Sequence, residues 1–274
     1  MAAVEAALGA ARAAGRPILV TYVTGGIRDD WTDLLAAMID AGADAVEIGL
    51  PFSDPMLDGP IIQQASAAAI ARGATATAIL ARLSSVGRLG SVGRLGRSTG
   101  SDVPLIAMTY ANHAYRRGPA SYCRELAGAG VGGTIIPDLP VGEADDYLAA
   151  AQAAGLDATL MATPATPDEQ IRLIAGRTHG FLYVMSVMAT TGPARGRDDT
   201  SGWAVAARAR RHTPKPVLIG FGIDTPRRAA AAAEHADGVI VASALMRQVL
   251  DGATASDISR AVADLRAALD QAWR

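Results

Sequence analysis

Two carboxylates in one short stretch of the chain are the residues best suited to acid–base chemistry. Glu47 lies in the aliphatic segment Ala45–Gly49, which has the composition of a buried strand, and Asp58 follows eleven positions later, after a proline-rich loop. Burial raises the pKa of a carboxyl group unless a partner compensates for the lost hydration. We therefore expect Glu47 to move protons, and Asp58, in a more polar loop, to stay ionised and stabilise positive charge. A satisfied core glutamate followed by an ordinary turn is the alternative that this local pattern leaves open.

A second group of residues has the composition of a phosphate site. Gly220-Phe221-Gly222 ends one aliphatic segment, and Ala242-Ser243 ends the next, where a short helical pattern begins. Glycines let the backbone approach a phosphate group, and the free N–H groups at a helix N-terminus donate hydrogen bonds to it. The two segments together predict phosphate binding, whereas Gly-Phe-Gly alone would be typical of a turn.

A third stretch, Ser186–Arg197, is long and rich in small residues, and it carries Thr190, Thr191 and Gly192. Loops of this kind close over a substrate and exclude water from the reaction. The stretch is therefore predicted to be a mobile lid, and an ordinary surface loop is an equally compatible interpretation.

Eight aliphatic segments alternate with amphipathic ones along the chain and would position these groups. The predicted strands are Ile18–Thr24, Ala45–Gly49, Val103–Tyr110, Gly133–Pro137, Ala158–Ala162, Gly180–Met185, Pro216–Gly220 and Gly238–Ala242. The clearest predicted helices are Trp31–Ala41 (capped by Asp29 and Asp30), Ala120–Ala129, Gly142–Ala154, Pro167–Ala175, Gly202–Arg211, Pro226–Glu234 and Ser256–Trp273. This alternation over 274 residues predicts a single-domain (β/α)₈ TIM barrel, with a doubly wound open sheet as the alternative. A barrel would bring the carboxylates and the glycine segments together at one mouth.

An exact duplication interrupts the alternation. The hexapeptide Ser85–Gly90 is repeated as Ser91–Gly96, and further Gly, Ser and Arg residues follow as far as Ser101. This composition predicts a flexible surface insertion near 85–101, within one domain that spans residues 1–274. Because the insertion precedes the third strand, a barrel would place it at the face opposite the active site.

The composition excludes several classes of function. With 25 basic and 27 acidic residues, the chain has no basic field to attract nucleic acid, and no apolar run reaches the roughly 18 residues of a membrane span. Cys123 is the only cysteine, so an intrachain disulfide is impossible; we expect Cys123 to be a buried apolar residue in a cytoplasmic protein. The four histidines have no metal-ligand spacing, and nothing in the sequence calls for a metal or an organic cofactor on this chain.

The stretch from Asp44 to Gln63 resembles the signature of the tryptophan synthase alpha subunit family, the indole-3-glycerol-phosphate lyases. The resemblance covers nearly the whole chain, from Val20–Gly26 to Val239–Ser243, and it includes the motifs Met108-Thr109-Tyr110-Ala111-Asn112, Pro137-Asp138-Leu139-Pro140-Val141 and Gly220-Phe221-Gly222. It implies a (β/α)₈ barrel that cleaves indole-3-glycerol phosphate to indole and glyceraldehyde 3-phosphate in L-tryptophan biosynthesis. It also implies a partner, a PLP-dependent beta subunit that receives the indole through a tunnel in an α₂β₂ complex.

The resemblance implies roles for the residues of this chain that stand at the family's site positions. The resemblance makes Glu47 the general acid/base and Asp58 the acceptor of the indole N–H, with Tyr183 lining the site and hydrogen-bonding near the glutamate. The other implied residues are Tyr22, Met108, Ile135 and Ile240 for the indole pocket; Gly192, Phe221, Gly222, Ala242 and Ser243 for the phosphate; Thr190 and Thr191 for the lid; and Pro51, Asp54 and Asn112 for the beta-subunit contact.

The chain departs from the family pattern at three places. The usual Gly-Ser of the phosphate site is Ala242-Ser243, the usual Gly-Asp-Pro is Gly26-Ile27-Arg28, and Val187 stands where an arginine is common. A Cβ at position 242 would crowd a phosphate unless φ there is negative. Two alternatives stay open: a free-standing lyase that releases indole for specialised metabolism, and a catalytically silent barrel that only binds and activates a beta subunit.

Overall fold

The predicted strands form a closed parallel barrel in the computed structural model, which describes residues 3–88, 103–185, 201–220 and 222–272. The strands pair in chain order, and β8 closes on β1. They are β1 Ile18–Thr24, β2 Ala45–Gly49, β3 Leu105–Met108, β4 Gly133–Ile135, β5 Asp157–Ala162, β6 Leu182–Met185, β7 Val217–Gly220 and β8 Gly238–Val241. Nearly every strand residue is buried, because helices cover the outside of the barrel and side chains fill its interior. The (β/α)₈ prediction is confirmed, and the open sheet was wrong.

Helices surround the barrel and follow each strand of the described chain. Their bounds are α1 Ala3–Ala13, α2 Trp31–Asp40, α3 Pro60–Ala71, α4 Ala76–Arg88, α5 Ala111–Arg117, α6 Pro119–Gly128, α7 Asp145–Ala153, α8 Asp168–Arg177, α9 Ser201–Ala209, α10 Pro226–Ala233, α11 Ser243–Leu250 and α12 Ala255–Ala272. The predicted helix Gly142–Ala154 was wrong at its start, where a 3₁₀ helix at Val141–Glu143 precedes α7. The tight turn is closed by a hydrogen bond from Glu143 N to Pro140 O of 2.9 Å.

Five strands, β3, β4, β6, β7 and β8, are shorter than predicted, and β3 and β4 end early where a backbone group turns away from the sheet. At β3, Tyr110 already occupies the N-cap position of α5, so the strand stops at Met108. At β4, Pro137 has no N–H to donate to a ladder, and Ile136 O accepts a turn hydrogen bond from Leu139 N of 3.3 Å. These early ends make room for the loops that surround the mouth.

An apolar cluster fills the interior of the barrel. Ile18, Ile106 and Leu218 contribute to it from three strands, and α1 inserts Val4 and Leu8 from the N-terminal end. The first helix therefore closes the bottom of the barrel. Because side chains fill the interior, space for a substrate is expected at the carboxyl ends of the strands.

Buried aspartates bind the backbone at the N-terminal ends of the strands. Asp44 precedes β2, Asp157 begins β5 and Asp237 precedes β8, and each accepts a backbone hydrogen bond from another element. The donors are Leu19 N to Asp44 at 2.8 Å, Glu5 N to Asp157 at 2.9 Å and Val217 N to Asp237 at 2.8 Å. Arg12 and Arg210 also pair with Asp237, at 3.1 and 3.3 Å. These contacts satisfy N–H groups that the strand ends would otherwise leave unpaired.

Two local predictions change in the folded chain. Residues 85–88 of the duplication form the end of α4 rather than a loop, whereas residues 89–101 lie outside the described residues, so their place at the opposite face stays a prediction. Asp30 stands at the N-cap of α2 without a capping hydrogen bond, because Arg28 binds its carboxylate at 2.9 and 2.7 Å. Arg28 also donates to Ala253 O at 2.8 Å, so this departure from the family pattern ties the β1 loop to the α11–α12 connection.

The prediction for Cys123 is confirmed, since its side chain is fully buried in α6. Burial raises the pKa of its thiol, which keeps it protonated and unreactive. None of the helices in the described part of the chain is long and apolar enough to cross a membrane.

Candidate active site

Glu47 lies in the middle of β2, between Tyr22 of β1 and Ile106 of β3 in the strand register. Its side chain is 1% exposed, and neither carboxyl oxygen has a hydrogen-bond partner among the described residues. Burial without compensation raises the pKa of Glu47 to about 8. The carboxyl group is therefore protonated at neutral pH and able to donate a proton.

Asp58 stands in the loop between β2 and α3, which folds back over the mouth of the barrel. Asp58 N donates to Pro55 O at 3.1 Å, and Gln63 Nε2 donates to Asp58 O at 2.9 Å. The prediction of a polar environment was wrong, because the side chain of Asp58 is only 8% exposed. Burial raises its pKa to about 6, and a hydrogen bond from Tyr110 lowers the pKa in part. Asp58 is still largely ionised at neutral pH, as predicted, but not at acidic pH.

One cavity at the mouth brings the two carboxylates together; together with the open solvent at its entrance it encloses about 560 Å³. Its walls are Tyr22, Glu47, Asp58, Gly59, Ile62, Met108, Tyr183, Gly222, Ile223, Asp224, Ile240, Ala242, Ser243 and Ala244. The structure thus unites residues from strands or loops around the mouth, as the barrel predicted.

Ile135 is the exception among the predicted pocket residues in the described chain. It is fully buried in the cluster that fills the barrel interior, together with Tyr183 and Ile240, and it is not part of the cavity wall. Ile135 is the last residue of a three-residue strand, so it belongs to the packed layer rather than to the mouth.

Two tyrosines lie against glycines at the ends of neighbouring strands. A Cβ on Gly49 would lie 1.8 Å from the Tyr22 hydroxyl, and one on Gly220 would lie 2.2 Å from the Tyr183 hydroxyl. Burial raises the pKa of both tyrosines, and the nearby charges of Asp58 and Glu47 raise it further. Both phenols therefore stay protonated and can act as neutral hydrogen-bond donors in the cavity.

The opposite wall of the cavity has the features of an anion site. Helix α11 begins at Ser243, and no side chain caps its N-terminus, so its first N–H groups are free for a ligand. Gly222 has φ of +74°, a conformation that favours glycine. Ala242 has φ of −115°, so its Cβ fits the backbone there without strain. Of the other predicted phosphate and lid residues, Phe221, Gly192, Thr190 and Thr191 lie outside the described residues.

No lysine or arginine lines this cavity in the part of the chain that the structure describes. Asp224 is the one charged residue at the anion wall, and its carboxylate lies 3.7 Å from the Arg228 guanidinium, which offsets its charge. An anion at this wall would therefore depend on backbone N–H groups and the helix dipole, as the glycine pattern predicted.

A larger, largely apolar depression adjoins the cavity and shares Met108 with it; with its open solvent it encloses about 1,490 Å³. Its walls come from the loops and ends of the second to sixth strands, and they include Leu57, Leu139, Met161 and Met185. Apart from Met108, these residues were assigned no role from the sequence. It extends the site from the carboxylates towards the rim of the barrel.

Tyr110 is the main site residue that the sequence interpretation missed. It belongs to the quoted motif Met108–Asn112, but no role was assigned to it. In the fold, its hydroxyl oxygen accepts a hydrogen bond from Leu57 N of 3.1 Å and it hydrogen-bonds to Asp58. Ile62 and Ile223 were also missed, and each is an apolar residue just after a predicted loop.

The predicted contact residues differ in exposure. Pro51 is buried, whereas Asp54 and Asn112 are exposed. Met56 lies in the same loop as Asp54, and its side chain is 68% exposed. Tyr115 of α5 is a second exposed large apolar residue beside Asn112. Each of these two side chains lies within three positions of a predicted contact residue, Asp54 or Asn112.

Another titratable group lies at the opposite end of the barrel. Potential ligand atoms of Glu5, Asp157 and His179 are within 4.8 Å of one another. Hydrogen bonds account for both carboxylates: Asp157 accepts from Glu5 N, and Glu5 accepts from Gly180 N at 3.2 Å. We interpret the group as the attachment of α1 to β5 and β6.

Comparisons with known proteins agree on one family. The family model described as "Tryptophan synthase alpha chain" matches residues 8–272. The tryptophan synthase alpha chain of Halorhodospira halophila is 39% identical over 265 residues, which cover 96% of this chain and 93% of that protein. That of Roseiflexus castenholzii is 39% identical over 258 residues, covering 93% and 94%.

Solved structures give the same result. The structure of tryptophan synthase subunit alpha from Legionella pneumophila superposes with a TM-score of 0.85 and 29% identity, and the match covers 99% of each chain. A structure of Mycobacterium tuberculosis tryptophan synthase has a TM-score of 0.85 and 30% identity over 98% of each chain.

Proposed function

Because the chain belongs to the tryptophan synthase alpha chain family, the lyases that cleave indole-3-glycerol phosphate, we propose that the cavity between Glu47 and Asp58 is where this cleavage takes place. The family acts in tryptophan biosynthesis and works with a beta subunit. The observation that carries the proposal is that two carboxyl groups with pKa values of about 8 and about 6 line one cavity. At neutral pH one therefore holds its proton and the other is charged.

Glu47 acts first as a general acid in this mechanism. Its carboxyl group protonates the indole ring at C3, which gives a cationic indolenine. The glycerol C1′ hydroxyl then loses its proton to the Glu47 carboxylate, and the C3–C1′ bond breaks. The electrons of that bond return to the ring as indole, C1′ becomes the aldehyde carbon of glyceraldehyde 3-phosphate, and Glu47 is protonated again.

Asp58 accepts the hydrogen bond of the indole N–H. The developing positive charge lies on the ring nitrogen, so an ionised carboxylate beside it stabilises the cation more than the neutral substrate. Burial strengthens this attraction, because little water screens it.

Apolar residues hold the indole ring and the tyrosines orient the polar groups. Met108, Ile62 and Ile240 supply aliphatic surface on the cavity wall, with Ile135 packed beneath them. Tyr183 lines the cavity near Glu47, where its hydroxyl can donate a hydrogen bond to a substrate oxygen, and Tyr22 forms the wall of the pocket at β1.

The phosphate group binds at the α11 wall. Its ligands are the N–H groups of Ser243 and Ala244 and the backbone at Gly222, and Ala242 lines the same wall. The family resemblance adds Phe221 and Gly192 to the phosphate ligands and assigns Thr190 and Thr191 to a lid; all four lie outside the described residues.

A beta subunit covers the mouth in an α₂β₂ complex, and PLP belongs to that subunit. Asp54 and Asn112 contact it, with Met56 as an apolar anchor and Pro51 as the support of the loop. The adjoining apolar depression gives the indole a path towards the partner. We place the complex in the cytoplasm, where the free thiol of Cys123 stays reduced.

The first experiment measures indole release from indole-3-glycerol phosphate by the full chain and by Glu47→Gln. Turnover by the variant should fall about 10²- to 10⁴-fold, because the amide of glutamine cannot donate or accept the proton that Glu47 transfers. Glu169→Gln, the same change on exposed α8, is the matched control and should keep full activity. Turnover by Glu47→Gln close to that of the unmodified chain would contradict the mechanism.

Adding a purified beta subunit separates the modes of action. A large rise in indole-forming turnover on mixing supports the synthase complex. Fast turnover by the chain alone with no rise would indicate a free-standing lyase, and stimulation of the beta reaction without any indole formation would indicate a silent barrel.

A further inference from the structure

Tyr110 joins the wall of the barrel to the loop that carries Asp58. It follows β3 directly, and its side chain is 5% exposed. Its hydroxyl oxygen accepts a hydrogen bond from Leu57 N, and the same hydroxyl hydrogen-bonds to the Asp58 carboxylate. An ionised carboxylate can only accept, so the phenol proton points to Asp58.

Aromatic contacts hold the ring of Tyr110 in place. Phe52, from the β2–α3 loop, stacks on it with ring centroids 4.9 Å apart and an interplanar angle of 24°. His113 meets Phe52 edge-on at 5.4 Å, and its Nδ1 lies 2.9 Å from Thr109 Oγ1. The hydroxyl is therefore presented to the loop from a rigid base.

The next residue is also anchored, because Ala111 N donates to Asp138 Oδ1 at 2.8 Å. The start of α5 is thereby fixed to the segment after β4. The backbone next to Tyr110 is thus anchored outside the β2–α3 loop, while its ring stacks on Phe52 of that loop.

The loop is tied to β3 at its start, where Leu50 N donates to Met108 O at 2.9 Å. Further along, its hydrogen bonds in the described chain are local, from Met56 N to Asp54 O at 2.8 Å and from Asp58 N to Pro55 O at 3.1 Å. Gln63 adds a contact from α3, the helix that follows the loop. The hydroxyl of Tyr110 reaches the end of the loop that carries Asp58, so it fixes this end relative to the barrel.

We propose that Tyr110 is a positioning residue for the lyase reaction: its hydroxyl orients the Asp58 carboxylate towards the indole nitrogen and holds the β2–α3 loop at Leu57. The inference rests on the proposed role of Asp58. One carboxylate oxygen accepts from Tyr110, and the other remains for the indole N–H. Loss of the phenol hydroxyl frees the carboxylate to rotate away from the substrate.

Removal of the hydrogen bond between Tyr110 and Asp58 changes the pH dependence of the reaction. A hydrogen bond to the charged form lowers a carboxyl pKa, so its loss raises the pKa of Asp58 above about 6. The other titratable groups around the cavity are Tyr22 from β1, Glu47 from β2, Tyr183 from β6 and Asp224 after β7. A change at Tyr110 leaves these four in place, so a shift of the acidic limb reports on Asp58.

The test compares Tyr110→Phe with the unmodified chain, both with an excess of beta subunit, by kcat/KM for indole release across pH. The ring and its stacking stay, and the hydroxyl is lost. We expect kcat/KM to fall about 10- to 100-fold and the acidic limb to move to higher pH. Glu169→Gln, on exposed α8 and away from the cavity, is the control and should change neither.

Three outcomes would overturn the inference. They are unchanged kcat/KM in Tyr110→Phe, a loss of activity with an unmoved acidic limb, and a full additional loss when Tyr110→Phe is combined with Asp58→Asn. In the last case Tyr110 would not act through Asp58. Failure of the unmodified chain to cleave the substrate would instead contradict the proposed function, so the two failures are distinguishable.

Discussion

At the scale of the residue, the site depends on one buried acid that has no hydrogen-bond partner among the described residues. Glu47 binds its proton more tightly in the folded chain, with a pKa of about 8, than in an unfolded one, where the usual value is 4.5. Because the unfolded chain releases this proton first, the contribution of Glu47 to stability falls as pH rises from about 4.5 to about 8. The chain thus carries a destabilising group at neutral pH, and the same group is the proton donor that the chemistry requires.

The two carboxyl groups predict a bell-shaped pH dependence. Activity needs Glu47 protonated, which fails above about pH 8, and Asp58 ionised, which fails below about pH 6. We expect kcat/KM for indole release to be greatest between these limits. The residual activity of Asp58→Asn should lack the acidic limb, whereas Asp264→Asn, on the exposed face of α12, should keep both limbs. A flat profile from pH 5 to 9 would contradict the assignment.

At the scale of the element, strand ends decide which side chains reach the mouth. β2 and β7 both end in glycine, and each glycine leaves space for a tyrosine hydroxyl from a neighbouring strand. The loop after β2 then folds inward, which buries Asp58. At the eighth strand, α11 starts immediately and leaves its N–H groups free. Short strands and abrupt helix starts therefore build the cavity.

Gly49→Ala tests this dependence on glycine. Its Cβ would lie 1.8 Å from the Tyr22 hydroxyl and 2.5 Å from Cζ, so the ring must move, and we expect a loss of about 1–3 kcal/mol in the free energy of unfolding together with a higher KM. Denaturant unfolding gives the first quantity and indole release the second.

A double variant and a control make the test specific. In a Tyr22→Leu background the ring is absent, so Gly49→Ala should cost much less than in the unmodified chain. Gly176→Ala, in α8 with no atom within 4 Å of the new Cβ, should be neutral or slightly stabilising. An equal cost in both Tyr22 backgrounds would show that the clash is not the cause.

At the scale of the whole molecule, the two ends of the barrel have different tasks. The carboxyl end holds the cavity, the exposed Met56 and the β2–α3 loop. The amino end is closed by α1 and by buried aspartates that bind backbone N–H groups. Asp237 is paired with Arg12 and Arg210 at the amino end, whereas the carboxyl group of Glu47 has no hydrogen-bond partner among the described residues. Stability and chemistry are thereby separated along the barrel axis.

Asp237→Ala tests this separation. The change leaves Val217 N without its acceptor and removes the partner of Arg12 and Arg210, so we expect a loss of about 1–3 kcal/mol in the free energy of unfolding. The kcat of the folded protein should stay the same, because the site lies at the other end. Asp264→Ala on exposed α12 is the control for both measurements. A lower kcat in fully folded Asp237→Ala would show that the two ends are coupled.

The sequence by itself determined the barrel, the order of its strands and the identity of both carboxylates. Its hydrophobic alternation is a local property, and β1 and β2 begin and end as predicted. The phosphate segments Gly220–Gly222 and Ala242-Ser243 were readable for the same reason, because the uncapped start of α11 follows from chain order.

Only the tertiary structure decided which side chains share the cavity. In the structure Asp58 is buried, although polar surroundings were predicted, and Ile135 is not part of the cavity wall. It also revealed Tyr110, which is 52 positions from Asp58 in the chain and meets it only when β3 lies beside β2. The physical reason is that burial and pKa depend on neighbours brought together by barrel closure, and no local pattern in the sequence records them.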